Sequence, residues 1–387
     1  MNFRISTLAD KNQVENLWAY CFEPREDPFF RWYFTHYYRP EQVLIGEENG
    51  VMCCVTHLNP YRLVLRGIQV NTSYVVGLAT HPAARSQGVG KQLLQATLEE
   101  MRKKQEYVQI LMPSNTGFYQ IYGYELYCHQ WQETRNVGSL CVKVPDSLQY
   151  AFISSPEQWR YLASVYEQYT QGLSGYAIRD EVSWRSHIAA QLAEGYIVAC
   201  FMDKMPISYA FYRINTPMIQ CGEFIYTSFQ GKKGLLHYMY NHRSQGEILQ
   251  WNEGLHDQSY RFYSDGKKGH QTIPFMTCRI VDVKGALEMI PYPAEWTGEI
   301  IFHIKDPLVA WNGGNWKLQV NHGQGHVKRT EDTPTVEMSV GALGMLIFGT
   351  VSAKALAYNE KIHGNDEDIL MLDKLFPVEH CFINEWY

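Results

Sequence analysis

The order of apolar and polar positions divides the chain into short strands and amphipathic helices, a pattern that begins again near residue 150. Residues 3–5 read as a strand. Val14, Leu17, Trp18, Cys21 and Phe22 then recur at i, i+3, i+4, i+7 and i+8, the buried stripe of a helix. Residues 42–45 and 51–58 flank Glu48-Asn49-Gly50, and Asn-Gly between apolar runs is the strongest short hairpin signal. Residues 74–80 form a further strand, rich in β-branched, aromatic and apolar side chains. Pro82 ends it, because proline has no N–H to give a ladder. A helix follows to about Arg102, with Val89, Leu93, Leu94, Leu98 and Met101 at helical spacing, and residues 107–112 form the next strand.

Past residue 150 the same order returns. Ser155-Pro156-Glu157-Gln158 is a capping box with proline at the first helical position, and Trp159, Leu162, Ala163 and Tyr166 supply the apolar face. Residues 196–201 and 207–212 repeat the hairpin about the turn Met202-Asp203-Lys204-Met205, so the pattern implies an internal duplication. The last hundred residues differ. Residues 298–305 and 316–320 read as strands joined by Asn312-Gly313-Gly314-Asn315, with Val327 in a third. Helices are expected after Ser339, after Ser352 and over residues 366–376. Strands followed by helices indicate an α+β module behind two α/β units, which gives domains at 1–148, 149–285 and 286–387.

Composition narrows this picture. A chain of 387 residues is too long for one ordinary core, and 45% hydrophobic with 19% charged residues is a globular balance. A net charge of -6 argues against a grip on nucleic-acid phosphates and suits cationic substrates better. Nine cysteines without C-x-x-C or zinc-ligand spacing read as packing residues of a reduced, cytosolic protein that holds no metal. No apolar run is long enough to span a bilayer, so no membrane partner is expected.

The candidate chemistry lies where the strand 74–80 gives way to its helix. Arg85-Ser86-Gln87-Gly88-Val89-Gly90 places two glycines at a helix start, where unpaired N–H groups and a partial positive charge make a cradle for a diphosphate. Its R-x-x-G-x-G spacing is neither a Walker loop nor the dinucleotide fingerprint. It resembles the acetyl-CoA pyrophosphate loop of the GCN5-related N-acetyltransferases (GNAT). Tyr119, Gly123 and Tyr124 fall on the Y-x-x-x-G-F/Y ending of the same superfamily, in the required order of loop, helix, strand and tyrosine. In the second copy, the counterpart segment from Glu223 to Gly234 lacks the two-glycine spacing, so that copy is expected to bind no coenzyme.

A first GNAT domain, a degenerate second and a C-terminal module similar to sterol-carrier folds together resemble the enhanced-intracellular-survival (Eis) family. The resemblance implies tandem GNAT-like domains, each a central mixed sheet with flanking helices, followed by a sterol-carrier-like α+β domain. It implies acetyl-CoA as cosubstrate. The backbone of Leu78, Ala79 and Thr80 would meet its pantetheine arm. Arg85, Ser86, Gln87, Gly88, Val89, Gly90 and Lys91 would surround its diphosphate, flanked by Ser114 and Asn115. It implies Tyr119 as proton donor and the free carboxylate of Tyr387, at the end of an aromatic tail, as base, with Glu385 as the lesser alternative. The family acetylates primary amines of aminoglycosides and other polyamines, and Glu23, Glu26, Asp27, Trp32 and Glu385 are the residues expected near such a substrate. A cytoplasmic homo-oligomer, hexameric by resemblance, completes the expectation. A protein-lysine acetyltransferase and a non-catalytic carrier of apolar ligands are the alternatives.

Overall fold

The computed structural model describes residues 1–262 and 268–386. The first third runs β1 (Asn2–Ile5), α1 (Lys11–Cys21), α2 (Pro28–Trp32), β2 (Val43–Glu48), β3 (Val51–Leu65) and β4 (Ile68–Thr80). It continues with α3 (Val89–Lys103), β5 (Val108–Leu111), α4 (Thr116–Gln120) and β6 (Glu125–Asn136). The second third runs β7 (Leu148–Phe152), α5 (Trp159–Tyr169), β8 (Tyr176–Ala177), α6 (Glu181–Glu194), β9 (Tyr196–Met202) and β10 (Met205–Asn215). After these come β11 (Met218–Tyr226), α7 (Phe229–Tyr240), β12 (Ile248–Gly254) and β13 (His270–Ile280). The remainder holds α8 (Val283–Met289), β14 (Gly298–Lys305), β15 (Gly314–Asn321), β16 (Gln324–Arg329) and β17 (Val336–Ser339), then α9 (Val340–Phe348), α10 (Ala353–Tyr358), β18 (Ile362–Gly364) and α11 (Asp366–Leu375).

Local chemistry accounts for most of these elements. Asn49 and Gly50 both take positive φ, as a two-residue hairpin between β2 and β3 requires. Ser155 caps its helix as a capping box, and Ser339 and Ser352 cap α9 and α10. Along α3, Val89, Leu93, Leu94, Leu98 and Met101 are all buried. Three expectations are corrected. Helix α1 ends at Cys21, so Phe22 leaves the predicted stripe and is exposed. The strand expected from residue 74 begins at Ile68, because its polar half alternates against β3 rather than facing a core on both sides. The link between β14 and β15 spans residues 306–313 and is longer than the Asn-Gly-Gly-Asn turn expected there.

Thirteen of the described strands form one sheet, twelve in the order β1-β2-β3-β4-β5-β13-β6-β12-β11-β10-β9-β7 and β8 paired with β3 off this path. Two parallel pairs, β4 with β5 and β11 with β12, each bridged by a helix, are the internal duplication in three dimensions. The two copies exchange strands. β5 of the first pairs with β13 of the second, and β12 of the second pairs with β6 of the first. A second sheet, β16-β15-β14-β17-β18, belongs to the C-terminal part, whose wholly apolar helix α9 packs on β13 and β6. Among the described residues no helix is long and apolar enough to cross a membrane.

Candidate functional site

Strand β4 carries the first feature of the site. Val55 pairs with Ala79 but His57 with Val76, so β4 has one residue more than its partner between them, a β-bulge at Gly77 and Leu78. Gly77 has φ +58°, and a Cβ there would lie 2.4 Å from Cζ3 of Trp18, so the bulge requires glycine. On its other edge β4 registers with β5 at a single pair, Tyr74 with Ile110. Beyond it the strands part, leaving the backbone of Leu78, Ala79 and Thr80 facing a gap.

That gap is a cavity of about 500 Å³. Leu78, Ala79 and Thr80 form one wall, and Arg85, Ser86, Gly88, Val89, Gly90 and Lys91 form its end. Ser114, Phe118, Tyr119 and Tyr122 close the far side, with Cys21 and Phe22 at the rim. The N-cap of α3 is Gly88 in the left-handed conformation, and the first backbone bond of the helix runs from Gln92 N–H to Gly88 O, so earlier N–H groups are free of the helix ladder. Arg85 donates from Nε to Thr80 O at 3.0 Å, tying the loop to the strand end. The remaining two predicted side chains turn elsewhere: Gln87 donates to Ala83 O, and Asn115 caps α4 by accepting from Phe118 N–H. The donor set fits an anionic diphosphate at the helix end and an extended amide-bearing arm along β4.

Tyr119 lines this cavity. Its ring meets Phe118 at 5.0 Å and Tyr124 at 5.5 Å, both edge to face. Burial pushes its phenol up to about 12, so the group stays protonated at any ordinary pH. Among the described residues its hydroxyl has no hydrogen-bond partner.

A second cavity, of about 1250 Å³, opens between the two halves. Glu23, Asp27, Trp32 and Glu385 line it, whereas Glu26 is exposed and stands outside it. Asp27 accepts from Phe29 N–H at 2.8 Å, and Glu23 accepts from Trp18 Nε1 at 2.8 Å. Cys21 and Phe22 border the smaller cavity and Glu23 the larger, so the loop after α1 touches both.

The C-terminal tail returns between the halves. Phe382, Ile383, Asn384 and Glu385 are buried. Phe382 N–H donates to Ser174 O, Gln130 Nε2 donates to Ile383 O, and Tyr74 OH donates to Glu385 O. The Glu385 carboxylate accepts from Arg179 Nε at 2.8 Å and from Tyr61 OH at 3.2 Å, so it anchors the tail. Arg179 also grips Glu223. Burial alone would raise the Glu223 carboxyl, but Arg179 and His187 outweigh it and hold it down. Tyr387 lies outside the described residues. Sequence reasoning missed Arg179, Glu223 and His187 as cavity residues, and no local pattern marks them, since only the tertiary meeting of Arg179, His187 of α6, Glu223 of β11 and Glu385 of the tail assembles them.

At the corresponding helix start in the second copy, Lys232, in the first turn of α7, is buried and paired with Glu253 and Asp257, and a Cβ on Gly231 would lie 2.6 Å from Ile207 O.

A bulged strand splayed from its parallel neighbour over a glycine-opened helix end is the build of acyl-coenzyme-A transferases of the GNAT class. Residues 2–127 and 175–280 each match an acetyltransferase (GNAT) domain, and residues 283–384 match a sterol carrier protein domain. The chain belongs to the GCN5-related N-acetyltransferases, in the tandem form with a C-terminal sterol-carrier-type domain. An uncharacterised N-acetyltransferase from Streptomyces avermitilis is 35% identical over 78 residues, a stretch that spans 20% of this chain and 19% of that relative. Over the whole chain the fold matches a GCN5-related N-acetyltransferase from Anabaena variabilis (17% identity, TM-score 0.85, 100% of both chains). It also matches Eis1 from Mycobacterium abscessus (16% identity, TM-score 0.79, 100% of both chains).

Proposed function

We propose that the chain is an acetyl-CoA-dependent N-acetyltransferase acting on primary amines of a small polycationic molecule of the aminoglycoside or polyamine type. The observation that carries this reading is the 500 Å³ cavity at the parting of β4 and β5, lined both by the N-terminus of α3 and by Tyr119. The thioester supplies the acetyl group when bound. The substrate amine forms the new C–N bond as the C–S bond breaks, Tyr119 gives its proton to the departing sulfur, and a base takes one from the amine. For that base we propose the Tyr387 carboxylate, which follows directly on the docked segment 382–386. The carboxylates of Glu23 and Asp27 beside the larger cavity favour a cationic acceptor.

Thiol release from acetyl-CoA, measured with aminoglycosides, polyamines, amino acids and a lysine peptide, tests the reading. Release with the polycationic small amines is the expected result, and release with the peptide alone would transfer the function to protein lysines. Residues appended after Tyr387 should abolish turnover while leaving acetyl-CoA affinity intact, and full activity in such a variant would remove the carboxylate from the mechanism. We further propose a homo-oligomer of hexameric size, which the molar mass in solution decides.

A further inference from the structure

The five-residue helix α4 is too short to hold a direction by itself, so the orientation of Tyr119 is imposed from outside. The Tyr119 ring leans on that of Tyr124, and Tyr124 is fully buried with its hydroxyl on Gln109 Oε1. Over the Tyr124 ring, 5.9 Å from its centroid, lies the guanidinium of Arg279, carried in from the second copy by the exchanged strand β13. Arg279 is fully buried. Its NH2 donates to both carboxylate oxygens of Asp306, at 2.7 and 2.8 Å, and its NH1 donates to Ile280 O at 2.9 Å.

Asp306 belongs to the C-terminal part, in the link between β14 and β15. It also accepts from the N–H groups of Leu308 and Val309 and from Asn312 Nδ2, which fixes the link. Leu308 and Val309 enter the apolar cluster that contains Tyr119, Tyr124 and the inner face of α3, and Gln95 of α3 donates to Leu308 O at 2.7 Å. Helix α9 closes the remaining side. Gly123 has φ +82°, and a Cβ there would lie 2.6 Å from Val340 Cγ1 and 3.3 Å from Arg279 Cζ, so its backbone conformation and the approach of the other two parts of the chain both require glycine. A buried ion pair of this kind adds little stability over apolar side chains of equal volume, but one terminal nitrogen on Asp306 and the other on Ile280 O together fix the direction of the guanidinium plane.

We propose that Arg279 and Asp306 are positioning residues for Tyr119, through which the second copy and the C-terminal domain set the direction of the phenol in the first. The proposal rests on the reading of Tyr119 as proton donor, and its test separates the two. Arg279→Lys keeps the charge but loses the planar guanidinium over Tyr124, which holds Asp306 and Ile280 O with two different nitrogens. It should lower kcat by about tenfold or more with the KM for acetyl-CoA changed less than about twofold, because misplacement of a reacting group acts on the chemical step. Combined with Tyr119→Phe it should add nothing further, since both changes remove the same contribution. Where Arg279→Lys fails to fold, the paired variant Arg279→Met with Asp306→Leu keeps the volume apolar and carries the same expectation. Wild-type kcat in the variant, or a loss that multiplies with that of Tyr119→Phe, overturns the proposal. If Tyr119→Phe itself retains full turnover, the donor reading falls and positioning is decided by the 19F resonance of 3-fluorotyrosine at residue 119. A shift in Arg279→Lys upholds the positioning, and an unmoved resonance refutes it.

Discussion

At the residue scale, Tyr119 and His57 show burial acting on two titrating groups with opposite consequences. Burial raises the Tyr119 phenol to about 12, and a general acid must be protonated to act, so turnover limited by this donor is lost only as pH rises through that value. The pH profile of kcat should therefore show no decline from Tyr119 up to pH 10, and Tyr119→Phe should lower kcat with little change in acetyl-CoA affinity. His57 is buried under Trp18, with Nδ1 on the Tyr33 hydroxyl at 2.8 Å, and desolvation lowers its imidazole from 6.5 to about 3. Between those values the unfolded chain binds a proton that the folded chain refuses. Its contribution is thus present above pH 6.5 and falls at up to about 1.4 kcal/mol per pH unit as pH drops toward 3. His57→Asn should flatten the decline of unfolding free energy between pH 6 and pH 4, and an unchanged slope would show that His57 does not titrate this way.

At the element scale, the cavity beside Leu78, Ala79 and Thr80 depends on an irregular strand. The extra residue in β4 turns the strand away from β5 after Tyr74, and Trp18 and His57 fill the space beneath the bulge. Gly77→Ala would force a Cβ into the Trp18 ring at a positive φ. That should cost on the order of 2–4 kcal/mol by denaturant unfolding, from the left-handed penalty together with overpacking. Acetyl-CoA affinity should fall with it, measured by calorimetry on whatever fraction folds. A variant that keeps both stability and affinity would mean the bulge relaxes without closing the gap. The loop after α1 is the other element with two duties, since Phe22 rims one cavity and Glu23 lines the other.

At the scale of the whole molecule, the copies are joined by exchange rather than by a linker alone. β5 has β13 as one neighbour, so the first copy lacks a central strand when cut from the second. Residues 1–148 expressed alone should give poorly dispersed amide resonances and no acetyl-CoA binding, whereas a folded fragment would mean that β6 closes onto β5 without β13. The tail makes the same point from the other end of the chain, since its buried residues 382–385 bond to Ser174, Gln130, Tyr74 and Arg179 from both copies.

The sequence alone determined what depends on neighbours along the chain. The Asn-Gly hairpin, the Ser155 capping box, the apolar stripe of α3, the R-x-x-G-x-G loop and the tyrosine motif are each written within about 15 residues, and each stands where the pattern put it. The duplication was legible for the same reason, as a local pattern that occurs twice. Only the tertiary structure decided the strand exchange, the bulge at Gly77, the partners of Arg179, the pairing of Arg279 with Asp306 and the convergence of Arg279 and Val340 on Gly123. Those contacts join residues tens to hundreds of positions apart, and neither a hydrophobic period nor a turn signal encodes which distant strand, ion or helix a given face will meet.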